Sequence, residues 1–149
     1  MLLPVPEPLE ALGIDKYGEA WLLWVVDEGF GPTFYAWPAS LPPDRHPRHL
    51  AKAAVTTRHL TSQRKLERAK IEDIQVDPPW RNRGVGTLLL RCLEEWCGDR
   101  GFRQMWGEIS KVDADHLDEL QHIYTKNGYK FELYARPRGI MIGETFKAL

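Results

Sequence analysis

IEDIQVDPPWRNRGVGTLLLRCLEEW, residues 71–96, contains a strand, a glycine turn and an amphipathic helix in fixed order. Ile71, Ile74 and Val76 make an apolar, β-branched segment that Pro78 and Pro79 must end, because neither proline can donate to a ladder. Val85, Leu88, Leu89, Cys92, Leu93 and Trp96 then recur at helical spacing. The turn between them, Arg81-Asn82-Arg83-Gly84-Val85-Gly86, leaves unpaired N–H groups at a helix N-terminus, where the macrodipole adds partial positive charge. Two arginines add full charges. Such a loop suits a diphosphate.

Two common diphosphate motifs are excluded by the residues after the second glycine. A P-loop needs Lys-Ser or Lys-Thr there, and the chain has Thr87-Leu88. A dinucleotide fingerprint needs glycine or alanine three residues beyond Gly86, and that position is Leu89. What remains is Arg-x-x-Gly-x-Gly between strand and helix.

The composition is that of a soluble globular protein: 149 residues, 43% hydrophobic and 28% charged, with six tryptophans. The length suits one domain, residues 1–149, opening on an irregular segment at 1–18. The longest apolar run, Trp21–Val26, is too short to cross a bilayer, and no signal peptide is evident. A cytoplasmic location is the expectation. Cys92 and Cys97 are five apart on one helix, so they point to different faces and do not bridge readily. They lack zinc-ligand spacing, no metal is expected, and Cys92 reads as core.

The net charge of −1 hides an asymmetry: residues 45–70 carry eight Lys/Arg against Glu67 alone. This patch offers a surface for nucleic acid or an acidic partner, with salt-dependent affinity. The blander reading, a solvated loop or charges near a cofactor phosphate, is preferred, so nucleic acid is not an expected partner.

Along the chain, the prolines and Gly13 of residues 1–19 leave room only for a short helix near Leu9–Leu12. Glu19–Asp27 and Thr33–Trp37 read as an antiparallel hairpin, and 38–50 as a proline-rich loop. Residues 51–60 fit a short helix or a strand, with the strand reading, at Ala54–His59, leading through a turn at Thr61–Arg64 into the strand ending at Val76. Strict alternation there puts Ala69, Ile71, Asp73 and Gln75 on one face and Lys70, Glu72, Ile74 and Val76 on the other. The helix of 85–97 is followed by a strand at Phe102–Ser110, with Gly107 as a bulge or close approach. Next come a helix capped by Asp113 or Asp115 and bearing Leu117, Leu120, Ile123 and Tyr124, a strand at Tyr129–Ala135, and a final strand at Ile140–Phe146. The fold class is α/β: a mixed, mostly antiparallel sheet with a central parallel strand–helix–strand crossover.

The Arg-x-x-Gly-x-Gly loop, its flanking strand and helix, and this element order resemble the GNAT superfamily of N-acetyltransferases. The resemblance runs from about residue 19 to the end. It implies transfer of an acetyl group from acetyl-CoA, as co-substrate, to a primary amine of a small molecule or peptide. It further implies that Ile74, Gln75 and Val76 pair with the thioester arm, while Arg81, Asn82, Arg83, Gly84, Val85, Gly86 and Thr87 hold the pyrophosphate. The guanidinium geometry suits Arg81 and Arg83 to phosphate. Ile-Tyr-Thr-Lys-Asn-Gly-Tyr, residues 123–129, resembles the family's helix ending, which assigns Tyr124 as general acid for the departing thiolate. A phenol of pKa ~10 is protonated at neutral pH and can donate. Core packing is the alternative role for Tyr124. Glu72, in a Glu-Asp pair similar to that of polyamine acetyltransferases, is the candidate base, with a solvated surface charge as its alternative. Glu108 is a second candidate.

The chain departs from the family at two places. Leu117 stands where many members have an asparagine seven residues before the tyrosine, and residues 1–18 are too few for the usual strand and two helices of the acceptor wall. Either 38–60 or a partner copy in a homodimer would then complete that wall. A GNAT-like acyl-CoA-binding module without catalysis is the competing reading.

Overall fold

The computed structural model describes residues 10–27, 31–41, 50–57 and 68–149. Within them the chain forms one eight-stranded sheet and two α-helices. The strands are β1 (Glu10–Ile14), β2 (Ala20–Asp27), β3 (Pro32–Pro38), β4 (Ala51–Thr56), β5 (Arg68–Val76), β6 (Gln104–Ser110), β7 (Lys130–Arg138) and β8 (Met141–Ala148). The helices are α1 (Val85–Asp99) and α2 (Leu117–Lys126). Strand order is β1-β2-β3-β4-β5-β6-β8-β7, and only β5 and β6 run parallel. The mixed, mostly antiparallel sheet with a parallel crossover through α1 is as expected from the sequence.

At the N-terminus the expectation is corrected. Glu10–Ile14 is a strand paired with β2, not a helix, and a register shift between Ala11 and Gly13 bends it. An isolated short helix has a costly nucleus, whereas the unpaired edge of β2 offers a template for main-chain hydrogen bonds. The β2–β3 hairpin is present as expected. The segments covering the tip of that hairpin, most of the 38–50 loop, and His59 with the Thr61–Arg64 turn lie outside the described residues.

The core lies between the sheet and α1, which contacts β1, β3, β4 and β5. Leu89, Leu90 and Leu93 are fully buried there on the sheet face that carries Trp21, Phe34 and Met105. The apolar face of α1 is rotated from the sequence reading: Cys97 is buried and Cys92 only half-buried. Burial pushes the Cys92 thiol up to about 11, helped by Glu95 and Glu10, and the Cys97 thiol up to about 12. Neither is a nucleophile at neutral pH. Tyr129 donates to Glu94 at 2.9 Å, and Lys147 pairs with the same carboxylate, tying α1 to the C-terminal strands.

Two irregularities in β5 and at its end shape everything functional. Ala54 opposes Asp73 but Val55 opposes Ile71, so Glu72 is an extra residue in the ladder. This bulge overturns strict alternation. Ile71, Ile74 and Val76 now share a face with Ala51, Ala53 and Val55, while Lys70, Asp73 and Gln75 share the other with Lys52 and Thr56. At the same point the β5–β6 pairing stops, its last pair being Ile71 with Gly107. A bulge bends its strand and raises the local twist, so the two parallel strands diverge beyond it.

Candidate functional site

The divergence of β5 and β6 opens a cleft of about 860 Å³. Glu72–Val76 form one wall, Glu108 and Ile109 the facing one, and the start of α1 closes one end. Residues 72–76 have β4 on one side only, so their main-chain groups on the β6 side face the cleft without a strand partner. Those groups can take up amides of an extended ligand, as a further strand would.

The loop before α1 is built by two left-handed residues, Asn82 at φ 63° and Gly84 at φ 91°. Asparagine and glycine tolerate that region far better than branched residues. Gly84 gives α1 no side-chain cap, so the first N–H groups of the helix are left for a ligand. This uncapped end, opening on a cleft beside an unpaired strand, fits a pyrophosphate joined to an amide-bearing arm. Gly86 serves packing: a β-carbon there would collide with Ile123 of α2. Thr87 accepts a hydrogen bond from Asn127 Nδ2 at 3.2 Å, and Asn127 also donates to the Ile123 carbonyl. These contacts hold α2 against the first turn of α1, which positions Tyr124 on the cleft.

The two arginines are engaged differently from the sequence expectation. Arg81 lines the cleft but donates from Nε to the Val76 carbonyl at 2.8 Å, bracing the end of β5. Arg83 does not line it. Its guanidinium lies 3.6 Å from the Asp15 carboxylate and stacks between Tyr17 and Trp80, 5.0 and 4.7 Å from the ring centres. Lys16, from the β1–β2 turn, lines the cleft instead. Sequence reasoning had no signal for this, because Asp15 and Arg83 are brought together only by the sheet.

Tyr124 is 5% exposed, lines the cleft, and packs against Tyr129 and Phe131 at 5.3 and 6.4 Å between centroids. Burial, then the charges of Asp113 and Asp73, push its phenol above the usual value. It is therefore a neutral donor at physiological pH. The ring thus both packs in the core and lines the cleft.

Among the carboxylates, Glu72 accepts from Thr56 at 2.9 Å and lies 3.7 Å from Lys70. Glu108 pairs with Lys70 at 2.9 Å, so the two glutamates share one ammonium. Asp73, which strict alternation would put on the face opposite Glu72, Ile74 and Val76, behaves otherwise. Desolvation raises its pKa above the ordinary aspartate value, Lys52 at 4.0 Å opposes this, and Asp113 and Glu72 add to the rise. The bulge at Glu72 places Asp73 there, and no residue spacing announces a bulge.

Asp113 closes a capping box with Ser110, accepting from its backbone N–H at 2.9 Å and its hydroxyl at 3.3 Å. It caps a 3-10 turn, Lys111–His116, rather than α2 itself, which starts at Leu117. Gly107 is a point of close approach to Ile71, and the bulge of β6 lies at Ile109/Ser110 instead. Of the basic stretch 45–70, the described members are all engaged: Lys52 faces Asp73, Arg68 stacks on Trp106 at 4.6 Å, and Lys70 pairs with Glu108. No cluster of three or more metal-ligating side chains is found among the described residues, nor any helix long and apolar enough to cross a membrane.

Comparison with known proteins agrees with this geometry. The family model described as "Acetyltransferase (GNAT) family" matches residues 32–129. A streptothricin acetyltransferase of Streptomyces lavendulae is 34% identical over 65 residues, covering 44% of this chain and 32% of that protein. The uncharacterized protein YocC of Bacillus subtilis (strain 168) is 31% identical over 71 residues, covering 48% and 41%. The matches thus span less than half of either relative's length. Among solved structures, a putative acyl-CoA N-acyltransferase of Klebsiella pneumoniae superposes with TM-score 0.60 at 18% identity, covering 83% of this chain and 76% of that one. Nourseothricin acetyltransferase gives 0.56 at 21% identity, covering 85% and 70%. A GNAT family acetyltransferase of Elizabethkingia anophelis with acetyl-CoA bound gives 0.54 at 15%, covering 80% and 77%. At these identities the structural likeness speaks to the fold. With the family model covering 98 consecutive residues, this chain belongs to the GNAT acetyltransferase family.

Proposed function

We propose that the protein is an acetyl-CoA-dependent N-acetyltransferase acting on a primary amine by direct transfer. The observation that carries this is the divergence of β5 and β6 beyond Ile71 and Gly107, which leaves Glu72–Val76 without a strand partner on the β6 side, beside the uncapped start of α1 and in reach of Tyr124. In this reading the strand takes the pantetheine amides and the α1 N-terminus takes the pyrophosphate.

The reaction needs a neutral amine, a polarised carbonyl and a stabilised thiolate. The amine nitrogen attacks the thioester carbon and the C–S bond breaks. Tyr124 gives its proton to the leaving sulphur, and a carboxylate takes the proton released by nitrogen. Asp73 suits the second task better than Glu72, because it lines the cleft with its pKa raised by burial above the ordinary aspartate value, while Glu72 is held by Thr56 and Lys70. Glu72 then acts mainly through its charge. Lys16 and Arg81, with Asp77, lie by the loop, and Glu72, Asp73, Glu108 and Asp113 line the other end, with Lys70 shared by the two glutamates. An acceptor that is cationic in solution fits the acidic end. The similarity to a streptothricin acetyltransferase favours a small-molecule acceptor over a protein.

Calorimetric titration with coenzyme A, followed by thiol-release assays over a panel of primary amines, tests this reading. Micromolar binding and turnover of at least one cationic amine are expected. Binding without turnover of any amine would leave a cofactor-binding module in place of an enzyme.

A further inference from the structure

The turn between β1 and β2, Asp15-Lys16-Tyr17-Gly18, lies outside the 32–129 segment matched by the family model, yet it is fastened directly to the pyrophosphate loop. Its anchor is Asp15, 7% exposed, whose carboxylate accepts from the backbone N–H groups of Tyr17 and Glu19 and from Trp21 Nε1, at 2.9, 3.0 and 2.9 Å. The Lys16 N–H donates to the Arg83 carbonyl at 2.9 Å. The main chain on either side of the Lys16 side chain is therefore held, while the side chain itself is exposed and makes no ion pair among the described residues. It runs alongside Gly84: a β-carbon built on that glycine would stand 3.8 Å from Lys16 Cγ and 3.9 Å from Cε.

Arg83, one of the loop's own cations, is meanwhile held by Asp15, Tyr17 and Trp80 and does not line the cleft. The same turn thus withdraws one cation from the loop and presents another. Resting on the acetyl-CoA reading above, we propose that Lys16 is a cofactor-binding residue that contacts the pyrophosphate at the start of α1, in the place Arg83 vacates. A lysine ammonium on a flexible stem binds phosphate as a point charge, which needs no fork geometry. The N-terminal hairpin is then part of the cofactor site and not only an edge of the sheet.

The test is titration of the full chain and its Lys16→Gln and Lys16→Arg variants with coenzyme A and with 3′-dephospho-coenzyme A. Lys16→Gln is expected to weaken both ligands by about tenfold, with a smaller salt dependence than the parent, and Lys16→Arg to restore most of the affinity. Equal loss on both ligands identifies the pyrophosphate as the group contacted. Loss on coenzyme A alone would move the contact to the 3′-phosphate and overturn the assignment. Unchanged affinity in Lys16→Gln would overturn it with the acetyl-CoA reading intact, whereas a parent chain that binds neither ligand would overturn both.

Discussion

The Arg83 guanidinium lies 3.6 Å from the Asp15 carboxylate, and that carboxylate is fully enclosed. A motif arginine is thereby turned into a fastener between the N-terminal hairpin and the loop that opens α1. Removing one partner of a buried, hydrogen-bonded charge leaves the other incompletely compensated. Arg83→Gln should therefore lower unfolding stability by about 1–3 kcal/mol in urea titration. Its effect on coenzyme A binding should be smaller than that of Lys16→Gln. A variant with full stability but tenfold weaker binding would place Arg83 on the phosphates after all.

The same pair sets an acid dependence. Desolvation works to raise the Asp15 pKa, but Trp21, the two backbone N–H donors and Arg83 outweigh it, and the native value lies below the ordinary one. The unfolded chain therefore binds this proton more tightly. The contribution of Asp15 is complete above the unfolded value of about pH 4 and is lost as pH falls through the native one. Asp15→Asn should be less stable than the parent at pH 7, and the gap between their urea midpoints should narrow below pH 4.

Tyr124→Phe keeps the ring packed against Tyr129 and Phe131 and removes only the hydroxyl. Turnover should fall by about 10² or more, the usual contribution of a positioned acid, with affinity for coenzyme A nearly unchanged. Equal rates in parent and variant would confine Tyr124 to packing.

Asp73 and Glu72 are separated by their pH profiles. A base must be deprotonated in the free enzyme, so kcat/KM should decline as pH falls through the raised Asp73 pKa. Asp73→Asn should remove that limb and most of the activity, while Glu72→Gln keeps the limb. Retention of the limb in Asp73→Asn would shift the role to another carboxylate.

Gly86→Ala tests the contact between helices. Helix propensity alone favours alanine by about 0.5–1 kcal/mol. The added β-carbon would clash only with the terminal Cδ1 of Ile123, which can turn aside, so the two effects should nearly cancel and the melting temperature should change little; a large drop would show that Ile123 is locked in place.

The strand, turn and helix of residues 71–96 were readable because local rules govern them. Prolines end β5, an asparagine and a glycine make the left-handed turn, and periodic leucines make α1; each acts within a few residues. The succession of strands and helices along the chain also came from the periodic segments, whereas the placing of β8 between β6 and β7 did not. Glu10–Ile14 was not readable, since its pairing energy comes from β2 and not from its own residues.

What only the tertiary structure decided lies in non-local pairings. The bulge at Glu72 exists because β4 and β5 differ by one residue between Ala54–Val55 and Ile71–Asp73, and no single strand records its partner's count. That one residue moves Asp73 onto the face of Lys52 and Thr56, brings Ile71, Ile74 and Val76 onto another, and coincides with the end of the β5–β6 ladder. The division of labour between Arg83 and Lys16 is of the same kind. Which cation turns inward depends on where Asp15, sixty-eight positions before Arg83, is carried by the sheet. The sequence by itself determined a glycine turn between a strand and a helix; the sheet decided which side chains stand around it.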